Sequence, residues 1–187
     1  MKSLGPKTLV YPAPVLVIGT YGDGMAANAM TCAWGGICCS APPAVSISLR
    51  KATATHGNIV SRKAFTINIP GEKFIKQADY FGTVSGRDVD KFAETGLTPM
   101  KGDFVDAPYI KEFPVVLECA LIQTMELGLH THFIGEVKDV KADEKVLGPD
   151  GLPDMEKVLP YMFAPDGRAY FGISKPLGKA FSIGKKQ

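Results

Sequence analysis

Asn28-Ala-Met-Thr-Cys-Ala-Trp34 and, one turn later, Ser46-Ile-Ser-Leu-Arg-Lys-Ala-Thr-Ala-Thr-His-Gly-Asn58 decide the fold of this 187-residue chain. The first piece reads as a returning strand and the second as a strand that empties into a cluster of cations and hydroxyls. Ser46-Ile-Ser-Leu49 alternates polar and apolar residues, so one face is core and the other is free to meet a ligand. Arg50 and Lys51 arrive where that strand ends, followed by Thr53, Thr55, His56 and Asn58. A guanidinium fork, an ammonium, hydroxyls and the first N–H groups of a helix are the groups that hold a phosphate. The alternative is a pair of solvated cations at a strand end, the usual place for charge. Trp34, the only tryptophan, lies just upstream as a flat apolar surface with one donor; a core aromatic is its alternative reading.

Working outward, Val15–Thr20 is a β-branched run, Tyr21-Gly-Asp-Gly24 a turn, and Ala26–Ala33 the returning strand of a hairpin. Trp34–Ser40 is rich in glycine and cysteine, which predicts close backbone approach there. Ala41-Pro-Pro43 breaks pairing ahead of the strand Ala44–Leu49. Thr55–Lys63 reads as a short helix, Ala64–Ile69 as a strand, and Lys73–Gly82 as an amphipathic helix through Phe74, Ile75, Ala78 and Phe81. A further helix at Asp88–Thr95 stops at Gly96. Phe104–Pro114 reads as loop, Val115–Leu127 and Phe133–Ala142 as strands linked by 128–132, and Asp143–Pro165 as polar turns with a short helix around Glu156. Ala169–Ile173 is a last strand before a loose lysine-rich tail after Pro176.

With 20 Gly and 14 Pro, strands and turns dominate. The expected class is mainly β with inserted helices: one domain over residues 1–187, built as a closed or nearly closed antiparallel barrel. Periodicity alone leaves a split barrel, an OB-like barrel and a sandwich open. A net charge of +2 is too small to suggest nucleic acid, so an OB-like nucleic-acid module is disfavoured. The apolar patch Thr8–Ile18 is interrupted by Pro12 and Pro14 and is too short to span a bilayer; it reads as strand, in a cytoplasmic protein. Cys32, Cys38, Cys39 and Cys119 show no secretory spacing, and the adjacent pair reads as buried thiols pointing apart on a strand. A G-x-G-x-x-G fingerprint is lacking, which excludes a Rossmann domain, and no hydrolytic triad assembles. His130 and His132 lack a third ligand, so no metal is expected.

Four pieces in order, the two above together with Ser85-Gly-Arg-Asp-Val-Asp-Lys-Phe92 and Glu126-Leu-Gly-Leu-His-Thr-His-Phe133, resemble the flavin-reductase-like family of FMN-binding split β-barrels, and within it the flavoredoxins. The resemblance implies a Greek-key-like antiparallel barrel, non-covalent FMN and a homodimer with the flavin near the subunit interface. It implies that Arg50 takes the phosphate, helped by Thr55 and the backbone of Ser48, Leu49, Arg50 and Lys51; Asn58 joins the cofactor site as a member of the local cluster. Asn28, Thr31, Ala33 and Trp34 would approach the ring, and Phe163 would pack near it. Lys91, otherwise a surface charge paired with Asp88 or Asp90, would stand near N1 and the C2 carbonyl, with His130 beside the flavin; these two carry the catalytic expectation. The implied chemistry is two-electron flavin reduction and transfer to an acceptor. The donor is either NADH or NADPH, as in a flavin or ferric reductase, or a redox partner protein, as in a carrier.

Overall fold

The computed structural model describes residues 1–173 and 175–185. Its strands are β1 (Ala13–Pro14), β2 (Leu16–Tyr21), β3 (Ala27–Cys32), β4 (Gly35–Ser40), β5 (Pro43–Arg50), β6 (Ala64–Ile69), β7 (Pro99–Lys101), β8 (Pro108–Ile110), β9 (Val115–Leu127), β10 (His130–Ala142), β11 (Tyr161–Ala164) and β12 (Ala169–Gly172). The α-helices are α1 (Ala54–Arg62), α2 (Ile75–Thr83), α3 (Lys91–Thr95) and α4 (Met155–Val158). Seven strands form one antiparallel sheet in the order β3-β2-β6-β9-β10-β5-β4. Its two edge strands, β3 and β4, are joined by only Ala33 and Trp34, so the sheet is rolled until its edges meet there. Ser48 N–H donates to the Trp34 carbonyl (2.8 Å) at the seam. At the other end β3 and β5 share no ladder, and the barrel is split. The mainly β, barrel-forming expectation holds.

The barrel interior is filled by Leu16, Ile18, Ile47, Leu49, Phe65, Ile67 and Phe133 with their neighbours. A second apolar layer, including Val15, Val17, Ala29, Ala78, Phe81 and Phe92, lies between the sheet and the α2–α3 segment. Strand β2 is therefore buried on both faces, which is why its sequence is a continuous apolar run rather than an alternation. The register of β9 and β10 shifts between Ile134 and Gly135 and again between Val137 and Asp139, and bulges of this kind bend a long hairpin around a barrel. Gly135 leaves room for the Phe65 ring: a Cβ there would stand 2.5 Å from Phe65 Cζ.

Several expectations change. Residues 1–12 form no strand: Pro12 has no ladder donor, and pairing starts at Ala13. Trp34–Ser40 is not a zone of close approach throughout but an edge strand from Gly35, exposed from Gly36 to Ser40. Cys38 and Cys39 are accordingly exposed, while Cys32 and Cys119 are buried. Cys38 falls at a register shift between Ile37 and Cys39, which also breaks the alternation that would point the two thiols apart. The expected loop Phe104–Pro114 contains β8, paired with β7, and the link before β10 shrinks to Gly128-Leu129. The polar stretch Asp143–Pro165 hides β11, which pairs with β1 and β12. Of the lysine-rich tail, residues 175–185 are described and include a turn closed by Ile183 N–H to the Lys179 carbonyl (3.0 Å); the expectation of a loose end also covers 186 and 187, outside the described residues.

Candidate functional site

Where β3 and β5 diverge, the split of the barrel is walled by the turn 50–55 on one side and by residues 82–86 on the other. The result is a cavity of about 250 Å³ lined by Asn28, Met30, Arg50, Thr53, Thr55 and Lys91 among others. The turn is built locally. Thr53 caps α1, its hydroxyl accepting from His56 N–H (3.3 Å) and donating to the Arg50 carbonyl (2.9 Å). Ala54 and Thr55, in the first turn of α1 where N–H groups lack helical partners and the dipole is positive, line the cavity. Arg50 is exposed and forms no ion pair among the described residues. Helix terminus and free guanidinium together make an anion seat.

Deeper in the cavity, Asn28 is buried and donates through Nδ2 to Thr55 Oγ1 (2.9 Å) and at 3.5 Å to Thr20 Oγ1. Its Oδ1 is buried and has no partner. That oxygen lies against Gly86, where a Cβ would stand 2.0 Å away, so any side chain at 86 would collide with the Asn28 amide. Lys91 corrects the surface alternative outright: it is 3% exposed, and Nζ donates to the carbonyls of Ala29 and Phe81, both at 2.8 Å. An ammonium has three donors, so one remains for the cavity that Lys91 lines. Burial with no carboxylate partner pushes its pKa down to about 8.

The other residues expected here divide. His130 faces Arg50 directly across the β5–β10 ladder, and Ser48 faces His132 with Oγ 2.7 Å from Nδ1, so these four share the outer face of the sheet. Ala33, Trp34 and Ser48 line a neighbouring cavity of about 420 Å³ with Val10, Pro12 and Pro14, and Trp34 is 37% exposed, not a core ring. Thr31 turns the other way and donates its hydroxyl to the Ala78 carbonyl. The Leu49 side chain is inside the barrel, which leaves only its backbone for a ligand. Lys51 is tied to Glu126 (2.6 Å) on the surface. Asn58 donates to Thr20 Oγ1 (3.0 Å) and lines a third cavity beyond Gly86. Phe163 packs on Tyr170, with ring centroids 5.7 Å apart, next to β1 rather than in the cleft.

The structure also adds residues. Met30 and the segment Gly82–Gly86 line the cleft, and Arg87 joins its two walls, donating to the carbonyls of Ala52 (2.7 Å) and Thr53 (3.4 Å). His56 Nε2 lies 2.8 Å from Thr131 Oγ1, whose hydroxyl donates to Glu126 (3.0 Å). The His56 ring must therefore carry its proton on Nε2 to complete the chain. Among the described residues no group of three or more His, Cys, Asp or Glu side chains is placed to hold a metal ion.

The cleft suits a flat cofactor bearing a phosphate: an anion seat at one end, an unpaired acceptor and a buried cation further in. Comparison with known proteins agrees with that shape. The chain is 52% identical to the flavoredoxin of Desulfovibrio vulgaris (Miyazaki F), whose structure superposes with a TM-score of 0.95 over 99% of this chain and 100% of that one. A flavoredoxin from Methanosarcina acetivorans is 28% identical, with a TM-score of 0.91 over 99% and 98% of the two chains. The reductase component of 4-nitrophenol 4-monooxygenase/4-nitrocatechol 2-monooxygenase from Rhodococcus opacus is 32% identical over 104 residues, 56% of this chain and 52% of that protein. The model of the flavin reductase like domain matches residues 8–171, and the chain belongs to that family.

Proposed function

We propose that the chain binds FMN non-covalently in the split of the barrel and works as a flavoredoxin-type redox protein, exchanging two electrons between a donor and an acceptor. The observation that carries this reading is the anion seat of Arg50 and the α1 terminus opening into a cleft that also holds an unpaired buried acceptor, Asn28 Oδ1, and a buried cation, Lys91. When bound, FMN supplies the ring that accepts and returns a hydride equivalent; the protein supplies placement and electrostatics. Arg50 and the N–H groups of Ala54 and Thr55 hold the phosphate. Asn28 offers Oδ1 to an N–H on the ring edge. Lys91, fixed by two carbonyls, presents its remaining N–H where negative charge gathers, and Met30 floors the cleft. His130, beside Arg50 on the outer face, borders the approach of the donor.

Purified protein is expected to be yellow or to take up FMN with micromolar or tighter affinity. Arg50→Ala weakens binding by about ten- to a hundredfold, the loss of one charge-assisted bond to phosphate at roughly 1.5–3 kcal/mol. Equal FMN affinity in the folded variant would remove Arg50 from the site.

A second reading, an NAD(P)H-dependent flavin or small-acceptor reductase, is favoured by the similarity to the Rhodococcus reductase component. Stopped-flow mixing of the FMN-loaded protein with NADH or NADPH separates the two: bleaching at catalytic rates means reductase, and none means a carrier fed by a partner protein. We place the working unit as a cytoplasmic homodimer. Its support is the exposed apolar surface left on β4, β9 and the β9–β10 turn by Ile37, Ile122, Met125, Leu127 and Leu129. No helix among the described residues is long and apolar enough to cross a membrane.

A further inference from the structure

The segment 82–90, the last two residues of α2 and the link to α3, carries the second wall of the cleft. Its neck is closed by Lys91, whose Nζ reaches back to the carbonyl of Phe81, one residue before the segment begins. Inside, Asp88 N–H (3.1 Å) and Val89 N–H (3.3 Å) donate to the Ser85 carbonyl, and Arg87 N–H donates to Ser85 Oγ (3.2 Å). The loop is thus compact and internally bonded, and it moves as one piece if it moves at all. One contact ties it to β3 and another to the opposite wall. Gly86 lies directly against Asn28 Oδ1 with no room for a Cβ. The Arg87 guanidinium crosses to the carbonyls of Ala52 and Thr53, in the turn that carries the anion seat. Arg87 finds no carboxylate among the described residues; its bonds go to backbone oxygens of the facing wall.

From this clasp we infer that Arg87 sets how long a phosphorylated ligand stays in the cleft. It holds the two walls at a fixed spacing, so the bound flavin is a slowly exchanging prosthetic group and not a substrate released each turnover. The inference rests on the reading that the cleft holds FMN, and it assigns a residue whose bonds run to protein carbonyls. Spreading the walls means breaking both guanidinium bonds, of which the one to the Ala52 carbonyl is the shorter. A neutral, short side chain at 87 removes that barrier while leaving the Arg50 and Lys91 side chains and the Thr53 hydroxyl cap of α1 in place. Affinity then falls through the dissociation rate, whereas loss of an anion-seat residue also weakens the initial capture of phosphate.

The test measures FMN dissociation from the loaded protein into an excess of an apo-flavoprotein trap, followed by flavin fluorescence. Arg87→Ala is expected to speed release at least tenfold with the association rate changed less than threefold. Arg87→Lys, which can still reach one carbonyl, is expected to fall between the two. The bound flavin's visible spectrum stays that of wild type in both. Should Arg87→Ala fail to fold, Arg87→Lys alone still decides, since a rate within twofold of wild type in a folded variant overturns the clasp. Wild-type release faster than once per second overturns the prosthetic assignment. A wild-type chain with no affinity for FMN overturns the flavin reading and the clasp with it, whereas normal binding with equal release rates overturns the clasp alone.

Discussion

Exchanging Lys141 for methionine lowers the unfolding free energy by about 3–5 kcal/mol, the range for stripping one partner from a buried ion pair. Glu118 on β9 is completely buried. Its carboxylate accepts from Lys141 Nζ (2.8 Å), Asp103 N–H (3.2 Å) and Phe104 N–H (2.8 Å), pinning the loop before β8 to the middle of the sheet. Lys141 on β10 also bonds Asp139 (2.7 Å) and Asp103 (2.9 Å), and Phe104 lays its ring 5.3 Å from Nζ. Methionine keeps most of the stem's packing but leaves Glu118 as a buried charge facing two further carboxylates. Removing that charge as well, in Glu118→Gln/Lys141→Met, restores part of the loss: the glutamine carbonyl still accepts from one loop N–H, while the other, which reaches the second carboxylate oxygen, meets the amide NH2 instead.

The exposed pair Lys51–Glu126 gives the contrast: with side chains 61% and 59% exposed, it is worth under about 1 kcal/mol. Burial works against the Lys141 ammonium, but its bonds to Asp139, Glu118 and Asp103 outweigh that and hold its pKa above the ordinary lysine range. A group raised in this way stabilises fully below its unfolded value and loses that contribution only as pH climbs through the higher folded one. The destabilisation is therefore the same at pH 7 and pH 9. Urea unfolding at both pH values checks it, and a loss below about 1 kcal/mol at pH 7 would mean that Glu118 is satisfied by its backbone partners alone.

Much of this architecture was legible because it is local. Val115–Leu127 and Ala64–Ile69 match β9 and β6 residue for residue, and the helix read at Thr55–Lys63 is α1, displaced by one residue at each end, since such patterns act within a few positions. The four-residue β11 and three-residue β7 carry too little pattern to stand out from the polar segments around them; partners far along the chain define them. The cleft shows the same division. Arg50 and the Thr53 turn could be read from their own neighbourhood. The burial of Lys91 could not: Asp-Val-Asp-Lys looks like a solvated face, and only the carbonyls of Ala29 and Phe81, 62 and 10 residues away, make it an internal cation. Arg87 was likewise invisible as a clasp, its partners lying 35 and 34 residues upstream. The exposure of Cys38 and Cys39 follows from β4 being an edge, which is a property of the closed sheet and not of the Cys-Cys dipeptide.

Lys91→Met is expected to lower the midpoint potential of bound FMN by several tens of millivolts at pH 6.5, and much less at pH 9.5. Two unit charges about 4 Å apart at an effective dielectric of about 20 interact by roughly 4 kcal/mol. For a two-electron couple about 30 mV corresponds to roughly 1.4 kcal/mol, which caps the effect near ~90 mV. The cleft opens to solvent, so the realised share is smaller. The sign follows from charge: reduction adds electrons to the ring, a fixed cation favours the reduced form, and its removal favours the oxidised one. The pH dependence follows from burial. With the pKa of Lys91 pushed down to about 8, the ammonium is complete at pH 6.5 and largely deprotonated by pH 9.5. The wild-type potential therefore falls toward the variant's as pH rises through that window, while the variant keeps the slope of the flavin alone. Spectroelectrochemical titration of both proteins at the two pH values checks this. An equal gap at both would assign the effect to altered packing around the substituted side chain, and no gap at pH 6.5 would show that the third Lys91 donor does not face the ring.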